Sequence, residues 1–163
     1  VERGRPPRLA ATVTAAITLF AAVVGNLLIP ASALAWFRGL PWPRWLVPYR
    51  VFIAVGLTYY ALIATVLYRA LDRQDLPAII WAIVVIVANE TWNAVFFGLR
   101  STLAGFTGML AFTAPLSALI VAARDDFVSL ALLLVYALWV VYDIAWTAAL
   151  WRTSRTAWRR FEQ

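Results

Sequence analysis

Apolar residues along this chain come in long unbroken runs, with short polar interruptions between them. The runs are Leu9–Trp36, interrupted by Pro30, then Val51–Tyr68, Pro77–Gly98, Thr102–Ala123 and Phe127–Trp151. Each is long enough for a helix to cross the hydrocarbon core, which takes about 20 residues. The interruptions are compact and polar: Arg69–Asp75, Arg100-Ser101 and Arg124–Asp126. The first run has the basic start of a signal peptide, but it is too long for one and lacks a cleavage site, so it reads as a span. Pro77 sits where the first turn of a helix tolerates proline, and Pro115 predicts a kink in the fourth span. The pattern predicts an all-α membrane protein, a five-transmembrane-helix bundle. A polar tail (1–8) precedes a single transmembrane domain (9–151), and a basic tail (152–163) follows it.

The segment Trp36–Arg50, WFRGLPWPRWLVPYR, is different in kind. It holds three Pro, three Trp and three Arg. Pro41, Pro43 and Pro48 remove backbone donors and fix φ, which excludes a regular helix. Its aromatic content is too high for a solvated loop. It reads as a Pro/Trp-rich first loop capping one end of the bundle, at the interface where Trp and Arg are favoured.

Composition narrows the function classes. Of 163 residues, 64% are hydrophobic and 13% charged, against roughly 45–50% and 25% in soluble domains. A soluble enzyme, a nucleic-acid binder and a disordered chain are excluded. The net charge of +6 comes from 14 basic residues, all Arg, against 8 acidic ones. These arginines lie beside and between apolar runs, as interfacial anchors and topology signals. The run Arg152–Arg160 reads as a contact with anionic membrane lipid. With no Cys and no His, disulfides, thiol nucleophiles, His or Cys haem ligation and nearly all zinc chemistry are removed.

Five spans put the two ends of the chain on opposite faces. Side A, the N-terminal face, carries Arg3, Arg5, Arg8, Arg69, Arg73 and Arg124. Side B carries Arg38, Arg44, Arg50, Arg100, Arg152, Arg155, Arg159 and Arg160. The excess on B predicts a cytoplasmic B side, with Val1 outside.

Two acids, Glu90 and Asp143, fall inside apolar runs, where a carboxylate is costly and faces the bundle interior. Each lies eight residues before the B-side end of its span, about 12 Å deep at ~1.5 Å per residue. Around them, Tyr136, Trp139, Asp143 and Trp146 share one helical face, as do Asn89, Trp92, Asn93 and Phe96. Two polar-aromatic stripes at one depth under an aromatic cap predict a pocket open toward B. Such stripes also serve plain helix packing. Either acid is equally satisfied by an ion pair with Arg50 or by a hydrogen bond from Asn or Tyr. Trp36 also fits an interfacial belt, and Ala104/Gly108 is a small-residue packing pair.

The loop resembles the first loop of the TspO/MBR family (tryptophan-rich sensory protein, translocator protein, peripheral benzodiazepine receptor), W-Y-x-x-L-x-K-P-x-W-x-P-P-x-W. The matches are Trp36, Phe37, Leu40, Pro43, Trp45 and Pro48. The family's third span, N-x-x-W-x-P-x-F-F-G, is matched at Asn89, Trp92, Phe96, Phe97 and Gly98, and its fifth at Tyr136, Trp139, Trp151 and Arg152. The sequence departs from the pattern at Trp42, Val47, Arg50, Gly56, Ala94 and Thr147, and neither Glu90 nor Asp143 belongs to it.

The resemblance implies a five-helix bundle in a bacterial cell membrane, often a homodimer. It implies a receptor, sensor or carrier that requires no cofactor and binds porphyrin, haem or a sterol-like molecule. On that reading Trp92, Trp139 and Trp146 stack on a flat ligand and Asn89 and Asn93 supply hydrogen bonds. Phe96, Tyr136 and Asp143 complete the wall, Arg50 meets a propionate, and the cap with Trp36 and Trp45 closes over it. Light-driven porphyrin breakdown, proposed for some members, uses two tryptophans; Trp139 matches one and Gly56 replaces the other, which argues against that activity here, and a receptor, sensor or carrier is favoured over an enzyme. A rival reading is a proton-coupled transporter titrating Glu90 and Asp143. Another is an assembly subunit whose polar residues only join helices.

Overall fold

The computed structural model describes the backbone of residues 7–161 and the side chains of residues 8–154. Arg3, Arg5, Arg155, Arg159 and Arg160 lie outside the described side chains. Among the described residues six helices follow one another: α1 (Pro7–Leu27), α2 (Ala31–Arg38), α3 (Tyr49–Asp72), α4 (Leu76–Leu99), α5 (Thr102–Ala122) and α6 (Phe127–Phe161). All but α2 are long and apolar enough to cross a membrane. The protein is an all-α, five-span integral membrane protein.

The helix ends follow from local chemistry. Asp75 caps α4, its carboxylate accepting the Ala78 N–H at 3.1 Å, and Ser101 caps α5 by accepting the Ala104 N–H at 3.2 Å. Each satisfies an amide that the helix leaves without a partner. The two turns before these caps are so short that Gln74 and Arg100 take left-handed backbone angles. Pro115 is accommodated within a continuous α5.

Three boundaries differ from the sequence reading. The first span ends at Leu27, and Pro30 separates it from α2, an independent short helix. Trp36 therefore stands on a helix. The three prolines that exclude helix all lie after Arg38, and Pro30 is itself well placed to start one. Within the segment 36–50 only residues 39–48 are irregular, and Pro48 is the N-cap of α3, which puts Arg50 in a first helical turn. At the other end α6 runs ten residues past Trp151.

Around the bundle the order is α1, α3, α6, α5, α4 and back to α1, with α3 also touching α4 across the middle. The α4–α5 and α5–α6 seams are tight and the α3–α6 seam is loose. The outward faces carry exposed Leu19, Phe20, Leu57, Val121, Leu138 and Val141, a surface that suits lipid and not water.

Side A is pinned by one carboxylate. Asp126, at the start of α6, accepts Arg69 Nε at 2.7 Å and Nη2 at 2.6 Å, Ser129 Oγ at 2.6 Å, and pairs with Arg73 at 2.9 Å. The bidentate fork from α3 is the strong form of such a bond. The Arg69 hydrogen bonds, against burial and with help from Ser129, hold the Asp126 carboxyl well below the usual carboxylate range. On side B, Arg100 donates to Ser32 Oγ at 2.8 Å, tying α2 to the end of α4.

Because the folded state holds Asp126 ionised more firmly than the unfolded chain does, its contribution is complete above the unfolded value, about 3.9. It is lost as pH falls below that toward the folded one. Asp126→Asn should therefore lower the thermal midpoint at pH 7 by a few degrees, ~1 kcal/mol being about 2–4 °C at this size. The gap to wild type should close below about pH 4. A gap unchanged down to pH 2–3 would show that the ion pair is not its source.

Candidate functional site

The loose α3–α6 seam opens, at the B end, into a cavity of about 300 Å³. That is at the lower end of the roughly 300–1,000 Å³ range of small-molecule sites. Its walls come from α1, α2, α3, α4, α5 and α6. The lid is α2 with the irregular segment after it. Phe37 is 4% exposed and makes edge contacts with Trp42, Phe96, Phe97 and Trp146 at centroid distances of 4.4–6.1 Å. The segment is tied down where the Val47 N–H donates to the Tyr142 hydroxyl at 2.9 Å.

Eight of the eleven residues expected at the site line this cavity: Asn89, Trp92, Asn93, Phe96, Tyr136, Trp139, Asp143 and Trp146. Three do not. Trp36 stands behind the wall, its ring edge-on to Phe96 at 5.4 Å. Trp45 is 52% exposed and packs outside, against Tyr142 at 5.9 Å. Arg50 is exposed and pairs with neither intramembrane acid. The first turn of α3 directs it away from the lining. The basic residue in contact with the lining is instead Arg38, whose guanidinium lies over the Tyr49 ring, 5.3 Å from its centre.

The two acids part company. Glu90 lies outside the lining, buried between helices. Its Oε1 accepts the Tyr60 hydroxyl at 2.7 Å and Asn89 Nδ2 at 3.2 Å, and its Oε2 accepts Asn93 Nδ2 at a long 3.5 Å. Donors from α3 and α4 thus replace the ion pair with Arg50. Asp143 does line the cavity. Its Oδ1 accepts Trp146 Nε1 at 2.6 Å. The Trp139 indole, one turn earlier, also lies within hydrogen-bonding reach of the same carboxylate. Of the two acids that the transporter reading pairs, Asp143 is the one that faces the cavity.

Trp92 is held in place by two contacts. Its Nε1 donates to the Gly105 carbonyl of α5 at 2.9 Å and its ring stacks on Phe96 at 5.2 Å. The close approach needs glycine. A Cβ on Gly105 would enter the Phe96 ring and one on Gly108 would press on Trp92. Gly108 of the expected small-residue pair is thus a contact point, and Gly105 is a second one.

The α3 wall was not anticipated. Tyr49, Phe52, Gly56, Tyr59 and Tyr60 line the cavity from this helix, and their three- and four-residue spacing is itself a stripe. Phe52 stands between the two indoles of α6, 5.8 Å from Trp139 and 5.5 Å from Trp146. Gly56 faces open space, with nothing within 4 Å of where a Cβ would stand.

Gly25 of α1 lies directly against the Glu90 carboxylate, and a Cβ there would collide with it and with the Tyr60 hydroxyl. Gly25→Ala should therefore destabilise the protein by about 1–3 kcal/mol, the usual cost of overpacking. Thermal unfolding in the Glu90→Ala background, where the obstructing carboxylate is gone, should show a markedly smaller loss. Equal losses in the two backgrounds would mean that Gly25 matters for another reason.

Aromatic faces, amide and phenol hydrogen-bonding groups and a single buried carboxylate can hold a flat, mostly apolar molecule. No nucleophile paired with a base lines the cavity. Among the described residues no group of three or more His, Cys, Asp or Glu could hold a metal ion. No curated protein matches the chain. The family model described as the TspO/MBR family matches residues 13–152, nearly the whole length. That span includes α2, the irregular lid and every residue that lines the cavity, and the chain belongs to the TspO/MBR family.

Proposed function

We propose that the protein is a membrane receptor, sensor or carrier that binds a tetrapyrrole, or another flat hydrophobic molecule, in the cavity under the lid. The observation that carries this reading is the convergence of Trp92, Trp139, Trp146 and Phe52 on one cavity beneath the lid. Such rings offer stacking faces to a planar ligand, and the neighbouring Asn89 and Asn93 offer directional hydrogen bonds. Gly56 adds room at the same wall. The propionates of a porphyrin find no cation inside the lining. They are best served at the rim by Arg38, held over Tyr49, since a guanidinium recognises carboxylates with paired donors.

Trp139 is the residue to test, because Trp92 also holds α4 to α5. Trp139→Ala should weaken protoporphyrin binding by about five-fold to a hundred-fold. That range follows from ~1–3 kcal/mol per stacked aromatic contact and ~1.4 kcal/mol per tenfold. Trp81→Ala, on the outward face of α4 and 37% exposed, serves as control and should change little. The two affinities, read by tryptophan quenching in detergent, decide the matter. Equal loss from both variants, or none from Trp139→Ala, would mean that porphyrin only partitions beside the protein.

A further inference from the structure

Asp143 is 8% exposed and lines an aromatic cavity in which no Arg takes part. One of its oxygens accepts the Trp146 indole N–H. The Trp139 indole, one turn earlier, is the other donor within reach of this carboxylate. Phe52, Trp139 and Trp146 stand around it, the phenyl ring within 6 Å of each indole centre. An ionised carboxylate in a low-dielectric wall needs a positive partner, and no Arg lines this cavity to supply one. Aromatic faces attract the same kind of partner, since their negative π-clouds favour an ammonium group. A carboxylate with three aromatic rings about it is the chemistry that recognises a hydrophobic amine.

We infer that the inner end of this cavity selects ligands carrying one cationic nitrogen, with Asp143 as the residue that sets the preference. The inference rests on the cavity being the ligand site proposed above, and it names the class of ligand that this wall favours. The cation lies among Phe52, Trp139 and Trp146, and the carboxylate neutralises it. An anionic group on the same molecule must stay at the rim, on the side of Arg38. Among flat ligands of equal size, a monocation should therefore be held more tightly than its neutral counterpart.

Two planar probes of nearly equal shape separate charge from stacking: 9-aminoacridine, cationic at neutral pH, and acridine, neutral there. In purified full-length protein, tryptophan quenching should show 9-aminoacridine bound at least about tenfold more tightly, the size of one desolvated cation–π and ion-pair contact. Asp143→Asn should bring the two affinities close to parity, and Asp143→Glu, which keeps the charge, should preserve the order. A thermal transition for each variant reports whether it folds. If Asp143→Asn does not fold, the wild-type ratio alone still decides. Equal affinities in wild type, or a preference that survives Asp143→Asn, would overturn the assignment. Should protoporphyrin binding depend on Trp139 while the acridine pair shows no difference, this inference fails and the cavity remains the ligand site. Should neither probe nor protoporphyrin show any dependence on Trp139, both readings fail together.

Discussion

A carboxylate set among hydrocarbon must find its donors within the protein, because the bilayer core offers no water to supply them. Glu90 meets that constraint through Tyr60 of α3 and through Asn89 and Asn93 of its own helix. Gly25 lets α1 close onto the same spot. Three helices therefore meet at one polar point with their relative positions fixed. The contact is also directional, which apolar packing against lipid-like side chains is not. Its placement determines where Asn89, Asn93 and Trp92 point, since all lie on α4 within one turn of the acid.

From that point toward side B the bundle has to open. Prolines at 41, 43 and 48 deny the chain a helix there, so the lid is built from side-chain packing. Phe37 is its centre, with rings from the lid, α4 and α6 around it. Side A closes differently, by the charged clamp of Asp126 with Arg69 and Arg73. The contrast assigns the two ends different tasks. One is a charge-locked base, and the other is an aromatic mouth whose parts are held by rings and a few hydrogen bonds. On the proposed reading a flat ligand enters at the mouth, and the base keeps α3 and α6 together while the seam between them stays loose above.

Much of this was legible in the residues. Run lengths and polar interruptions gave the five spans, because hydrophobic thickness is a strong constraint on helix length. The stripes on α4 and α6 were readable because Asn, Trp, Tyr and Asp at three- and four-residue spacing stand out from an apolar background. The equivalent stripe on α3 was harder to see, since Tyr49, Phe52 and Gly56 blend into a helix rich in aromatic and small residues. Arg50 was misplaced because charge alone says which residues want a partner and not which way a first helical turn faces. Trp45 was misplaced for a related reason: an irregular segment has no period from which to infer its inner face. Glu90 illustrates the opposite limit. Its depth was evident, but the hydroxyl that satisfies it is thirty residues away on α3, and no local pattern announces that pairing.

The central claim is that the cavity beneath the lid holds a flat hydrophobic molecule. Its most direct test is a tryptophan-quenching titration of the purified protein with protoporphyrin, haem and a sterol in turn, at several detergent concentrations. The account predicts saturable quenching by protoporphyrin, with a midpoint set by protein and ligand and not by the amount of detergent. Quenching that rises without saturation for every ligand, and scales only with the ligand-to-detergent ratio, would contradict it.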